Sequence, residues 1–302
     1  MNDLERKTTS PSQSVLWLAL IGIGVAWGTT QLLSKLIVSE GHHPVGITFA
    51  ATIVGALLVS IVMMVRGVRL PLSRRHLIFY AVCGLSGTAL PNSVSYAAMA
   101  HLPVGVMSII MAAVPMMTFV GSVIFRIERP VMRRAMGLGL GLLAVLVLVV
   151  PEASLPSPDD AFWVGFALIT GLSYTFENIF IAKAKPEDCG AFQILCGLSF
   201  AALAMMAPVA LATDTQMAFR GLGVAEISLV VMTILHLVSY GGFVWLISQA
   251  GPVFAAQVAY IVTLTGVGLG IAVLDESHSA WVWLSLGLML VGLVLVQPRK
   301  RE

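Results

Sequence analysis

Glu177 stands at the centre of SYTFENIFIAKAK (Ser173–Lys185), inside an apolar run long enough to cross a bilayer, and no other acidic residue lies so far inside such a run. A carboxylate is costly in hydrocarbon unless it faces a wet cavity or a partner, so an intramembrane acid points to substrate or proton chemistry. In a low-dielectric setting a carboxyl group favours its neutral form, which makes Glu177 the candidate for proton coupling. The competing reading is a fixed partner for Asn92, His236 or a basic helix end.

Glu177 shares a helical face with Thr170, Ser173 and Tyr174 at i, i+3, i+4, i+7 spacing, whereas Leu168, Leu172, Phe176 and Ile179 make the other side apolar. Three further runs have a comparable stripe: Trp27, Thr30, Gln31 and Ser34; Thr88, Asn92, Ser95 and Tyr96; Thr233, His236, Ser239 and Tyr240. Serine and threonine also join membrane helices by simple hydrogen bonds. Four stripes together, however, are what one shared cavity requires. Gln257 and Tyr260, three residues apart, complete it. The candidate substrate-binding set is therefore Trp27, Thr30, Gln31, Asn92, Ser95, Tyr96, Tyr174, Glu177, His236, Tyr240, Gln257 and Tyr260. Aromatic faces combined with hydroxyls suit a small amphipathic solute such as an amino acid.

The elements that position these residues follow from composition. With 58% hydrophobic and 11% charged residues, the chain departs from the roughly one-quarter charged content of soluble domains. About 20 apolar residues span a bilayer. Ten such runs are found, near 15–38, 46–65, 77–99, 104–125, 133–150, 161–183, 190–212, 224–247, 253–273 and 280–297. Loops this short leave no room for a soluble catalytic domain. Of 17 basic residues, fifteen fall in one alternate set of loops and tails, Arg220 falls in the opposite set and Lys35 lies within the first run. This bias predicts both termini on the cytoplasmic side, although the expected inner loop Ser248–Pro252 has no basic residue. Lys35 is expected to snorkel to the outer surface. Cys83, Cys189 and Cys196 have no paired or metal-like spacing.

Five spans per half is an odd number, so similar halves must be inserted in opposite directions. Matches recur in order: Ala19–Ile21 with Ala167–Ile169, Lys35 with Lys183, Val94–Tyr96 with Val238–Tyr240, Pro103 with Pro252, and Glu128 with Glu276. By the same offset Glu177 corresponds to Thr29, so the halves are not chemically equivalent.

AWGTTQLLSK in the first span, SYAA before LPVG, Pro115 inside span 4, IERP at Ile127–Pro130 and the terminal GLxL helices resemble the EamA branch of the drug/metabolite transporter superfamily. The resemblance covers essentially the whole chain. It implies an all-α integral membrane protein, with ten transmembrane helices in two inverted five-helix repeats around a central cavity, and movement of small metabolites, often export. Pro115 is the expected helix bend. Thr263 stands where the second half would have its equivalent proline, so spans 4 and 9 are expected to bend differently.

The expected organisation is a cytoplasmic tail (1–14), a first repeat (15–150), an external linker (151–160), a second repeat (161–298) and a cytoplasmic tail (299–302). The expected function is secondary transport by alternating access, as an exporter, with protons as a coupling partner. Drug-like or sugar-like solutes are the alternative cargo. Substrate, bilayer and protons are the expected partners; no cofactor, metal or nucleic acid is called for. The expected location is the bacterial inner membrane. GxxxG spacings such as Gly24/Gly28, Gly137/Gly141 and Gly266/Gly270 fit intramolecular packing in a monomer, with the glycine faces of spans 5 and 10 open to a homodimer. A membrane enzyme would need a metal site from His42, His43, His101, His278, Asp275 and Glu276, and no HExxH, GxSxG or CxxC spacing favours it. A channel would want a charged ring or carbonyl filter, and none is legible.

Overall fold

The computed structural model describes residues 11–127, 132–149, 160–217, 219, 221–255 and 258–296. Gln257, the linker 151–159, Glu128, the tails 1–10 and 297–302 and the loop residues 128–131 lie outside the described residues.

The described chain is helical throughout, because only helices or closed barrels satisfy every backbone group in lipid. The first two spans are α1 (Gln13–Ser39) and α2 (Pro44–Val65). The third is composite: α3 (Arg74–Gly84), a π-helical turn (Leu85–Ala89) and α4 (Leu90–Met99). The fourth is also divided, into α5 (Val104–Met111) and α6 (Val114–Ile124). Then come α7 (Met132–Val149), α8 (Asp160–Ala184), α9 (Ala191–Ala212), α10 (Val224–Ala255), α11 (Val258–Leu274) and α12 (Ala280–Val296). Among the described residues, seven helices or composite helices are long and apolar enough to cross a membrane. Three shorter apolar stretches, Ala135–Val147, Val258–Leu274 and Ala280–Gly292, accompany them.

One expectation is corrected. The predicted loop Ser248–Pro252 is helical, since α10 continues to Ala255. One proline removes a single backbone hydrogen bond, which a helix in a protein-packed bundle tolerates. Lys35 Nζ donates to the carbonyls of Met99 (2.6 Å) and Leu102 (3.0 Å), capping the end of α4. A cation there meets the negative end of the helix dipole.

Pro115 sits in the first turn of α6, immediately after the break at Ala112–Ala113. In α11, by contrast, Thr263 lies inside an unbroken helix and its Oγ1 donates back to Ala259 O at 2.9 Å. Glycine spacing governs the closest helix contacts. A Cβ at Gly24 would collide with Ile261 and one at Gly28 with Thr265, so α1 lies tightly on α11. A Cβ at Gly292 would meet the carbonyl of Gly137, which joins α12 to α7.

Candidate functional site

Polar stripes from four helices converge along one face of α10. Met232, His236 and Tyr240 stand four residues apart, so they lie one above another. Met232 Sδ accepts from Ser34 Oγ on α1 (3.0 Å) and from the Tyr96 hydroxyl on α4 (3.8 Å). The His236 ring faces Trp27 on α1, with centroids 6.2 Å apart. Tyr240 lies within electrostatic reach of Glu177 on α8. Across α8 and α4, the Tyr174 hydroxyl donates to Asn92 Oδ1 at 3.2 Å.

Tyr174, Glu177 and Tyr240 are half-buried and His236 is exposed, so these four polar side chains of α8 and α10 are not sealed into the packed core.

Glu177 rests against the π-helical turn. The Leu90 N–H donates to Leu85 O, five residues back, as a π turn requires. Pro91 follows and has no N–H, so the Ser86 carbonyl, five residues before it, loses its ladder donor. Ser173 Oγ on α8 donates to Ser86 O instead, at 2.7 Å, and Thr170 Oγ1 donates to Pro91 O at 3.2 Å. Gly87 lies at the centre of the turn. A Cβ there would collide with all three terminal atoms of the Glu177 carboxyl group, so the missing side chain is what gives the carboxyl its place. Among the described residues no Lys, Arg or His lies within ion-pair distance of Glu177, and none donates it a hydrogen bond.

The remaining candidates vary. Thr30 Oγ1 bonds locally to Trp27 O (2.7 Å), and Ser95 is buried on α4. Gln31 Oε1 is buried without a hydrogen-bond partner. Tyr260, on α11, packs against the main hydrophobic core, which also contains Tyr96 and Met232. Sequence reasoning passed over Met232 and Gly87. Met232 had a detectable signal, since it precedes His236 by four positions; Gly87 had only its place four residues before Pro91.

At one end of the bundle a second carboxylate behaves differently. Glu276 accepts from Val104 N (2.6 Å) and Gly105 N (3.1 Å) at the start of α5, with His278 Nε2 at 3.4 Å from it. A cleft of about 800 Å³ at that end includes Glu40, His42, His43 and Asp214. His101 is stacked on Trp163 at 3.9 Å, away from the other histidines. Among the described residues no group of three His, Cys, Asp or Glu side chains could hold a metal ion.

Apolar helices of spanning length define a polytopic membrane protein. Residues 14–150 match the EamA-like transporter family, and together with the relatives below this match supports a membrane transporter. It is 25% identical over 285 residues to the protein named uncharacterized inner membrane transporter YedA in Escherichia coli (strain K12), covering 93% of this chain and 90% of that one. The YedA proteins of the O6:H1 and O157:H7 strains match to the same extent. A chain of known crystal structure, 15% identical, has the same fold with a TM-score of 0.64, over 94% of this chain and 98% of that one.

Proposed function

We propose that this protein is a secondary transporter that exports a small amphipathic metabolite, such as an amino acid, by alternating access around the space lined by Tyr174, Glu177, His236 and Tyr240. The observation that carries the reading is this quartet of polar side chains, half-buried or exposed on two helices of an otherwise apolar bundle. Glu177, without a cation beside it, is the group that exchanges a proton with the cycle and meets the ammonium end of the cargo. Gln31, with its buried unpartnered oxygen, is a further polar contact for the cargo.

Ten spans in two inverted repeats, 15–150 and 161–298, provide the moving halves. The packing pairs support this, because they are preserved when the halves are exchanged. The pairing of α1 with α10 has its counterpart in α4 with α8, and that of α1 with α11 in α6 with α8. The pairing of α3 with α9 corresponds to α10 with α2, while α2 with α9 and α7 with α12 map onto themselves. The charge bias favours both termini in the cytoplasm, and the name of the Escherichia coli relative favours an inner membrane.

Counterflow tests the reading. Liposomes that contain the purified protein and an unlabelled amino acid should accumulate the labelled form saturably, above protein-free liposomes. No accumulation with any of the common amino acids would reject amino acids as cargo, and none with sugars or cationic drugs either would reject the carrier.

A further inference from the structure

The π-helical turn in the third span is made by the sequence LSGTALP (Leu85–Pro91) and completed from another helix. Proline takes away the donor for Ser86 O, Ser173 Oγ from α8 replaces it at 2.7 Å, and Gly87 leaves the hollow that the Glu177 carboxyl fills. Ser173 and Glu177 are four residues apart on α8, so one face of that helix supplies both the hydroxyl that satisfies the turn and the acid that occupies it. A side chain at Gly87 or an apolar group at Ser173 would disturb the same contact from opposite sides.

We propose that Gly87 and Ser173 are positioning residues for Glu177: together they hold the π turn as a seat for its carboxyl group and so set the pH response of the proton step. The inference rests on the proposed role of Glu177 and deepens it. The titratable groups within electrostatic reach of Glu177 are Cys83 on α3, Tyr240 on α10 and Tyr174 on its own helix, with Tyr96 on α4 beside Tyr174. The π turn, α5 and α6, which also pack against α8, contain no titratable side chain.

Dicyclohexylcarbodiimide, which reacts with protonated carboxyl groups in apolar surroundings, reads the site without any cargo. Labelling of Glu177 would be followed by peptide mass spectrometry across pH, in the full-length protein in detergent. In Gly87→Ala the added Cβ displaces the carboxyl from its hollow toward a more solvated position, so the pH of half-labelling should move toward acid by about half a unit or more, roughly threefold in the protonation equilibrium. Ser173→Ala should also displace the profile, and Ser173→Thr, which keeps the hydroxyl, should restore it. Should Gly87→Ala fail to fold, the two Ser173 variants decide alone. Profiles of folded Ser173→Ala and wild-type protein that superimpose would overturn the inference and leave the transporter reading untouched; that reading depends on counterflow by the wild type.

Discussion

Glu177 and Glu276 are both carboxylates set against glycines at helix interruptions, and their surroundings give them opposite tasks. Glu276 accepts two backbone N–H groups at the start of α5, 2.6 and 3.1 Å away, with His278 next to it. Its hydrogen-bonding capacity is largely used at the N-terminus of α5. Glu177 has a hollow but no donor and no cation among the described residues. Hydrogen bonds make Glu276 a fastener between the second half and the first. Among the described residues Glu177 has no such bonds, which is what its proposed role in proton exchange requires.

Three substitutions sharpen this contrast, in decreasing order of expected effect. Glu177→Gln keeps the shape and removes the exchangeable proton, so counterflow should fall by at least about tenfold or lose its pH dependence, while the unfolding temperature in detergent changes little. Full transport with an unaltered pH profile would sink the assignment. Glu276→Ala leaves the first N–H groups of α5 unpaired. Hydrogen bonds to a charged group contribute about 1.5–3 kcal/mol each, so the melting temperature should fall by several degrees, and any transport loss should follow stability. A melting curve equal to the wild type would mean that Glu276 fastens nothing.

The smallest effect belongs to Asp188, in the loop between α8 and α9. Its Oδ1 lies 3.0 Å from His76 Nε2, and this hydrogen bond holds the carboxyl below the ordinary carboxylate range. A lowered folded-state value means that the contribution is complete above the unfolded value and disappears as pH falls through the folded one. Asp188→Asn should therefore lower the melting temperature slightly at neutral pH and not at all in strong acid. With the Asp188 side chain 66% exposed, solvent screening keeps the difference small.

Much of the fold was legible because lipid imposes simple demands on a sequence. Runs such as those of α2 and α9 are apolar enough to have no alternative, and the break before Pro115 follows from a missing N–H. Pro252 misled the same logic. Read as the end of a loop, it lies inside α10, where neighbouring helices tolerate one lost bond. Pro91 was legible only as part of a span, because its effect depends on which residue lies five positions back and on a hydroxyl from α8 that restores the bond.

Glu177 itself was conspicuous, as any acid in an apolar run is. Its seat was not, because Gly87 is ninety residues away and has no side chain to signal a role. The alignment of His236 and Tyr240 was visible from their spacing. Met232, which joins Ser34 and Tyr96, reads as ordinary lipid-compatible filler until the three helices are assembled.

The central claim is that Glu177 is a protonatable group seated without a donor or a cation and Glu276 a hydrogen-bonded helix cap. Labelling of both by dicyclohexylcarbodiimide from about pH 6 to about pH 9 tests it in one sample. The account predicts that Glu177 is modified, less so as pH rises, and that Glu276 remains unmodified throughout. Labelling of Glu276 in preference to Glu177, or no labelling of Glu177 at any pH, would contradict it.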